Sequence, residues 1–387
     1  MQPLSTAEAE QLVRAGAAAL QRGRPAAARA EFEKVTAAGR ASAQVWLLLA
    51  HACGQAGDAA AAEAALDSLL AAEPQNLWAL IMKGDARAAA GDMRAATAFH
   101  KKARQVAAMA APLPPELARE MERVEAAIAA AERRYKEHLE RELAVRGLGP
   151  GARSPRFQQS LDILSGEKQI YFQQPTSYFF PELPHIQFFD RGLFPWVEAV
   201  EAAAADIRAE LVALMDDEDA FQPYLVAAPD RPRTEFHGLA DNPEWSSLYL
   251  WDNGKPVEAN VARCPAAYEA LVNVPMPYIS TRAPVVMFSR LKPGARIPPH
   301  TGMLNARLIC HLPLIVPPNC GFRVGNEVRE WEEGKLLIFD DTIEHEAWND
   351  SDEDRVVLIF DIWRPELSQD ERTAVAAMFE AVDSYGR

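Results

Sequence analysis

Gly23, Gly57 and Gly91 stand 34 and then 34 residues apart, and a similar run follows each: Arg24-Pro25-Ala26-Ala27-Ala28, Asp58-Ala59-Ala60-Ala61-Ala62 and Asp92-Met93-Arg94-Ala95-Ala96. Glycine reaches the left-handed backbone that ends a helix, and small alanines let the next helix pack closely. The surrounding sequence is rich in Ala and poor in β-branched residues, which favours helix. Trp46 and Leu80 lie eleven residues before Gly57 and Gly91, where the first helix of each pair needs large side chains. Trp46, Trp78, Leu48 and Leu80 are therefore expected in the core. A unit of this length cannot bury its apolar face alone, so it must stack on copies of itself.

This period resembles that of tetratricopeptide repeats, about three of them over residues 1–112, with Pro74 closing the second. The resemblance implies a concave helical surface of the kind that holds peptides or protein partners. The competing reading is a plain Ala-rich helical bundle. Pro114 and Pro115 then open a charged helix with sparse apolar residues, so residues 113–150 are expected to form a connecting helix. Gly147-Leu148-Gly149-Pro150-Gly151 breaks it, and residues 151–178 are expected to form a linker.

The formal net charge of -15 argues against nucleic acid as a partner, because phosphate binding needs a basic face. No apolar run approaches the roughly 18 residues of a membrane span, and the N-terminus lacks the basic start and apolar core of a signal peptide. Cys53, Cys264, Cys310 and Cys320 form no Cys-x-x-Cys pair, so reduced thiols and a cytoplasmic location are expected.

Composition changes from about residue 170. Aromatic and β-branched residues rise, and turn signals recur. Val285–Leu291, Arg307–Leu312, Lys335–Phe339 and Arg355–Trp363 read as strands, the second ended by Pro313. Gly321-Phe322-Arg323-Val324 leads into a Gly325-Asn326 hairpin turn. Helical patterns occupy residues 197–215 and 366–384. Many short strands with such turns predict a sandwich or jelly roll.

Two segments carry chemistry: Pro298-Pro299-His300-Thr301-Gly302 and Asp340-Asp341-Thr342-Ile343-Glu344-His345-Glu346. Both histidines fall at strand ends or turns, a spacing that suits facing strands. A polar turn, Asn349 to Asp354, would return Arg355 alongside His345 as a hairpin. Arg355 opens a strand apolar on both faces, so its guanidinium requires an anionic partner. Asp352, Asp361 or the carboxylate of a bound 2-oxo acid could each serve. His51, His100, His138, His185 and His237 have no partner spacing and read as surface or packed residues.

Residues 179 to 367 together resemble the aspartyl/asparaginyl β-hydroxylase family. The resemblance rests on Val286-Met287-Phe288-Ser289-Arg290-Leu291, Ile297 to Gly302, Arg307 to Leu312, Trp331 to Lys335, Phe339 to Trp348, and Arg355 with Asp361 to Leu367. It implies a double-stranded β-helix (jelly roll, cupin-like) over residues 179–387, and an Fe(II)- and 2-oxoglutarate-dependent dioxygenase. By position, His300 and His345 would bind iron, and Arg355 the distal carboxylate of 2-oxoglutarate, with Ser289 beside it. His311, with Arg307, would help hold the cosubstrate. The carboxylate ligand common in such oxygenases would stand two residues after the first histidine; here that residue is Gly302, as the family pattern has it. Asp340, Asp341 and Glu344 read as supporting acids. The pattern departs at Ile309, where an arginine is usual, and this leaves open how Arg307, Arg323 and Arg355 share carboxylates. The implied activity is hydroxylation of the β-carbon of Asp or Asn in a peptide or protein, which the repeats could hold. The rival readings are a hydroxylase of small molecules or lipid acyl chains, and a catalytically inert binding scaffold.

Overall fold

A computed structural model describes residues 4–110, 112–215, 217, 220–226, 239–280 and 282–385. The chain divides between Lys168 and Gln169 into two units.

The first unit is helical. Three antiparallel pairs, α1 (Thr6–Gln21) with α2 (Pro25–Ala37), α3 (Ala43–Gln55) with α4 (Ala59–Ala72) and α5 (Leu77–Ala89) with α6 (Met93–Met109), precede α7 (Pro115–Val145) and α8 (Pro155–Leu164). The repeated Gly-Asp dipeptide explains two of the turns. Gly57 and Gly91 take φ of 80° and 79°. The next residue, Asp58 or Asp92, then caps the following helix by accepting from the N–H of Ala61 or Ala95. Two further glycines allow close approach: a Cβ at Gly16 would lie 2.6 Å from Phe32, and one at Gly84 would lie 2.3 Å from the ring of His100. His100 is buried and hydrogen-bonds Asp85, so it is a packed residue as its isolation suggested. Trp46 and Leu48 pack at the edge of the core and Leu80 is inside it. Trp78, expected in the core, is 38% exposed. The buried face of α5 runs through Ala79, Leu80, Ile81, Lys83 and Gly84, which turns Trp78 outward. Among the described residues no helix is long and apolar enough to cross a membrane.

The second unit begins with β1 (Phe188–Phe189), α9 (Val197–Ala202), α10 (Ala204–Met215), β2 (Gln222–Pro223), β3 (Trp245–Asp252) and β4 (Lys255–Pro256). After α11 (Glu258–Val261) and α12 (Pro265–Leu271) come β5 (Val286–Leu291), β6 (Arg296–His300) and β7 (Arg307–Ile315). Next are β8 (Cys320–Val324), β9 (Glu327–Arg329), β10 (Leu337–Phe339), β11 (His345–Asn349), β12 (Arg355–Trp363) and α13 (Gln369–Ser384). The strands form two antiparallel sheets that do not close. The larger runs β1-β10-β7-β12-β5-β3-β2, with β4 beside β3; the smaller runs β6-β11-β8-β9.

Strand alternation divides the larger sheet into two faces. Leu308, Cys310, Leu312, Val356, Leu358, Phe360 and Ile362 point outward into the core made with α9, α10 and α12. The opposite residues, Arg307, Ile309, His311, Ser289, Arg355, Ile359 and Asp361, look inward and line a cavity. Next to that cavity, Leu291, Trp245 and Val357 pack against Ile297, Phe322, Val324 and Ala347 of the smaller sheet.

At three places the strands depart from the pattern expected from sequence. Pro313 does not end β7, which continues to Ile315. A register shift between Val356 and Val357, opposite Ile315 and Pro313, accommodates the residue that has no N–H. The turn after Asn349 is not a hairpin either. It carries the chain from the smaller sheet to the larger, so His345 and Arg355 meet across the cavity rather than in one ladder. Finally, His300 and His345 lie on adjacent, hydrogen-bonded strands of one sheet, directly opposite each other, and not on facing strands.

Candidate functional site

His300 is the last residue of β6 and His345 the first of β11, and the antiparallel register pairs them. The ring centroids stand 4.1 Å apart. Each Nδ1 lies against a carbonyl two residues back: Pro298 O at 2.8 Å from His300, and Ile343 O at 3.1 Å from His345. If each Nδ1–H donates there, each Nε2 carries the lone pair, the tautomer a metal ligand needs. Burial disfavours protonation of both. His300 titrates below the usual histidine range, and His345, with His300 adding to the effect, is pushed down to about 3. Both rings are therefore neutral at physiological pH.

Beside them, the absent side chain of Gly302 has a substitute. A Cβ there would fall 2.0 Å from Asp341 Oδ2 and 2.2 Å from its Cγ, so the Asp341 carboxylate fills the space that a residue at this position would use. The Gly302 N–H donates to the Asp341 carbonyl at 2.6 Å. Burial, with Asp340 and Asp361 nearby, raises the Asp341 carboxyl to about 7 against the pull of Arg307. Asp340 is engaged elsewhere: its carboxylate accepts from Arg364, Gln173 and Thr342. Glu344 pairs with Arg323, which also binds Glu346, so Arg323 takes no part in the cavity. Among the described residues no group of three or more His, Cys, Asp or Glu side chains converges in a way that could hold a metal ion; the convergence is of two imidazoles.

Across the cavity, β12 buries Arg355 with 1% exposure. Its guanidinium lies over the Trp331 ring, 4.5 Å from the centroid. It has no carboxylate and no hydrogen-bond acceptor among the described residues, and its Nε is buried without a partner. Asp361, one of the expected partners, is instead bonded to Arg307 at 2.8 Å. Burial lowers the Arg355 guanidinium to about 10. A cation so placed is costly unless an anion joins it. Ser289, on the same face two residues along the neighbouring strand, accepts from Trp245 Nε1 at 3.1 Å. His311 Nδ1 is likewise buried and unpartnered, and its ring packs on Phe322 and Phe339. Burial, with the charge of Arg355, holds His311 well below its ordinary value.

All six residues singled out from the sequence, His300, His345, Arg355, Ser289, Arg307 and His311, line this one cavity of roughly 740 Å³, a size proper to small-molecule sites. Sequence reasoning missed Trp331 as the platform for Arg355, and Asp361 as the partner of Arg307. Strand parity offered a signal for Asp361, six residues after Arg355 and so on the same face; nothing local indicated Trp331. The other lone histidines stay outside, and His237 lies outside the described residues.

Residues 201–365 match the family model for aspartyl/asparaginyl beta-hydroxylase, and residues 19–82 match one for the tetratricopeptide repeat. The aspartyl/asparaginyl beta-hydroxylase of Mus musculus is 38% identical over 145 residues, 37% of this chain and 19% of that protein. The ornithine lipid ester-linked acyl 2-hydroxylase of Rhizobium tropici is 36% identical over 180 residues, 46% of this chain and 60% of its own length. Aspartate beta-hydroxylase domain-containing protein 1 of Mus musculus is 33% identical over 220 residues, 56% of this chain and 59% of its own. The matched segments thus span less than two thirds of these relatives. Among solved structures, PcrH from Pseudomonas aeruginosa aligns with 33% of this chain and 94% of its own, at 20% identity and a TM-score of 0.30.

Proposed function

We propose that this chain, which carries a domain of the aspartyl/asparaginyl β-hydroxylase family behind tetratricopeptide repeats, is an Fe(II)- and 2-oxoglutarate-dependent dioxygenase. Its substrate is a peptide or protein, hydroxylated on the β-carbon of Asn or Asp. The observation that carries this reading is Arg355: a buried guanidinium that lines the cavity and pairs with no acid among the described residues. A dicarboxylic acid bound there supplies the missing charge through a bidentate pair.

The residues present fit the metal as well as the diacid. Two neutral imidazoles, each oriented by a backbone carbonyl, suit an Fe(II) that must keep coordination positions for cosubstrate and oxygen. The Asp341 carboxyl group stands where a side chain at 302 would be. When bound, iron, 2-oxoglutarate and dioxygen would supply the oxidising power for inserting one oxygen atom into the substrate C–H, with succinate and CO2 as co-products. The chain itself does the binding and orienting. His300 and His345 fix the ion. Arg355 grips the distal carboxylate, with the Ser289 hydroxyl beside it, and His311 contributes its unpartnered nitrogen to the same wall. The apolar side chains of Met287, Ile309, Phe322 and Phe339 keep bulk water from the reacting end. The repeats offer a surface for an extended peptide.

Acyl-chain hydroxylation is the second reading, favoured by the Rhizobium tropici relative. The test is succinate formation by the full chain with Fe(II), 2-oxoglutarate and a proteome digest, followed by mass spectrometry of peptides and of lipid extracts treated alike. The expected result is succinate formation with a 16 Da gain in peptides, both absent in His345→Ala of unchanged thermal stability. A gain in lipids alone would establish the second reading. Persistent turnover in His345→Ala would remove the metal assignment.

A further inference from the structure

We infer that the residue undergoing hydroxylation is uncharged, so that asparagine is taken in preference to aspartate, and that Arg307 and Ile309 set this choice. The inference rests on the reading above, because it concerns the cavity lining beyond Arg355 and the two imidazoles.

The cavity wall carries three arginines and no lysine among the described residues. Arg355 is the one without an acid, and the diacid cosubstrate uses it. Arg282 forms a bidentate pair with Asp383, with distances of 2.6 to 3.0 Å. Arg307 donates to Asp361 at 2.8 Å and stands 3.7 Å from Asp341. Burial opposes the charge of Arg307, but the two carboxylates outweigh it and hold the guanidinium firmly charged. Its positive field is therefore spent within the wall. Asp252 adds a further acid to the lining. Iron and 2-oxoglutarate cancel each other's formal charge when both are bound.

An entering carboxylate would thus lose its hydration and, among the described residues, find no cation with charge to spare, while Asp361 and Asp341 stand behind Arg307. A carboxamide meets no such opposition. Ile309 completes the arrangement: it pairs with Asp361 in the ladder, shares the inward face of β7 with Arg307 and His311, and presents hydrocarbon there.

The test incubates the full chain with Fe(II), 2-oxoglutarate and a proteome digest, and counts sites that gain 16 Da per occurrence of each residue. Asparagine is expected to exceed aspartate by about tenfold or more, the discrimination a site exerts against a group whose charge it cannot pair. Ile309→Arg adds a cation beside Asp361 and should shift the ratio towards aspartate by about tenfold. Asp361→Asn keeps an acceptor for Arg307 but removes a charge, and should shift it the same way. Aspartate equal to or above asparagine in the unaltered chain overturns the inference. So does a ratio that neither variant moves, or consumption of 2-oxoglutarate with no modified peptide. Failure to consume 2-oxoglutarate at all would instead sink the underlying oxygenase reading, and this inference with it.

Discussion

Two of the cavity's three guanidiniums, among the described residues, stand in opposite condition. Arg307 is surrounded by charge, bonded to Asp361 and close to Asp341. Arg355 is surrounded by hydrocarbon and aromatic rings, with Trp331 beneath it and no acid paired with it among the described residues. Both sit on inward faces of neighbouring strands. The difference separates structure from function: an arginine that serves the fold comes with its counter-ions, whereas one that serves a ligand is left without them. A protein meets the energetic cost of the second kind only if something else repays it, and here that is the diacid.

The comparison breaks most easily on paired truncations. Arg355→Ala removes a buried charge that no acid among the described residues compensates, so the ligand-free protein should be no less stable, while the 2-oxoglutarate requirement rises about a hundredfold through loss of a charge-assisted pair. Arg307→Ala strands two buried carboxylates, and should cost about 3 kcal/mol of stability with a much smaller effect on the cosubstrate. Denaturant unfolding of the ligand-free proteins and 2-oxoglutarate titrations of succinate formation measure both quantities. If Arg355→Ala destabilises as much as Arg307→Ala, the contrast is false.

This contrast was only half legible in the sequence. Arg355 opening an apolar strand signals a buried cation, and the ordered set of motifs around His300 and His345 signals the oxygenase. The period of the glycines signals the helix pairs, because a repeated Gly-Asp dipeptide both ends one helix and caps the next. The owner of Asp361 was not legible. Asp361 faces the same way as Arg355, and the identity of its partner depends on how β7 and β12 pair. That register includes a shift opposite Pro313, which the sequence shows only as a proline. Trp78 looks like a core residue in the sequence, but large size alone does not say which side of a helix a residue occupies. The crossover after Asn349 looks like a hairpin in the sequence, because a polar turn between two strands has the same composition in either case.

The second way to sharpen the comparison concerns the acids rather than the arginines. Asp341 belongs to the Arg307 side, yet its carboxylate occupies the space above Gly302, two residues along the chain from His300. Gly302→Ala puts a methyl group where that carboxylate lies, within 2.0 Å of Oδ2, and must displace it. Outer groups of this kind are worth about tenfold in metal affinity. Titration of Co(II) as a spectroscopic substitute should show that loss. Unchanged affinity would mean that Asp341 contributes only to the Arg307 cluster.

The smallest effect is expected at Trp331. Its ring stacks on Phe322 at 5.5 Å and 14° between planes, and supports the Arg355 guanidinium on its other contacts. Cation–π attraction of a desolvated arginine to tryptophan contributes about 1 kcal/mol, so Trp331→Leu should raise the 2-oxoglutarate requirement about fivefold, while Trp331→Phe should recover part of it. A purely structural tryptophan would behave differently: both variants would lose stability in proportion to the volume removed, and neither would change the cosubstrate requirement. The split between the two readouts therefore decides whether Arg355 is held by its surroundings or merely left there.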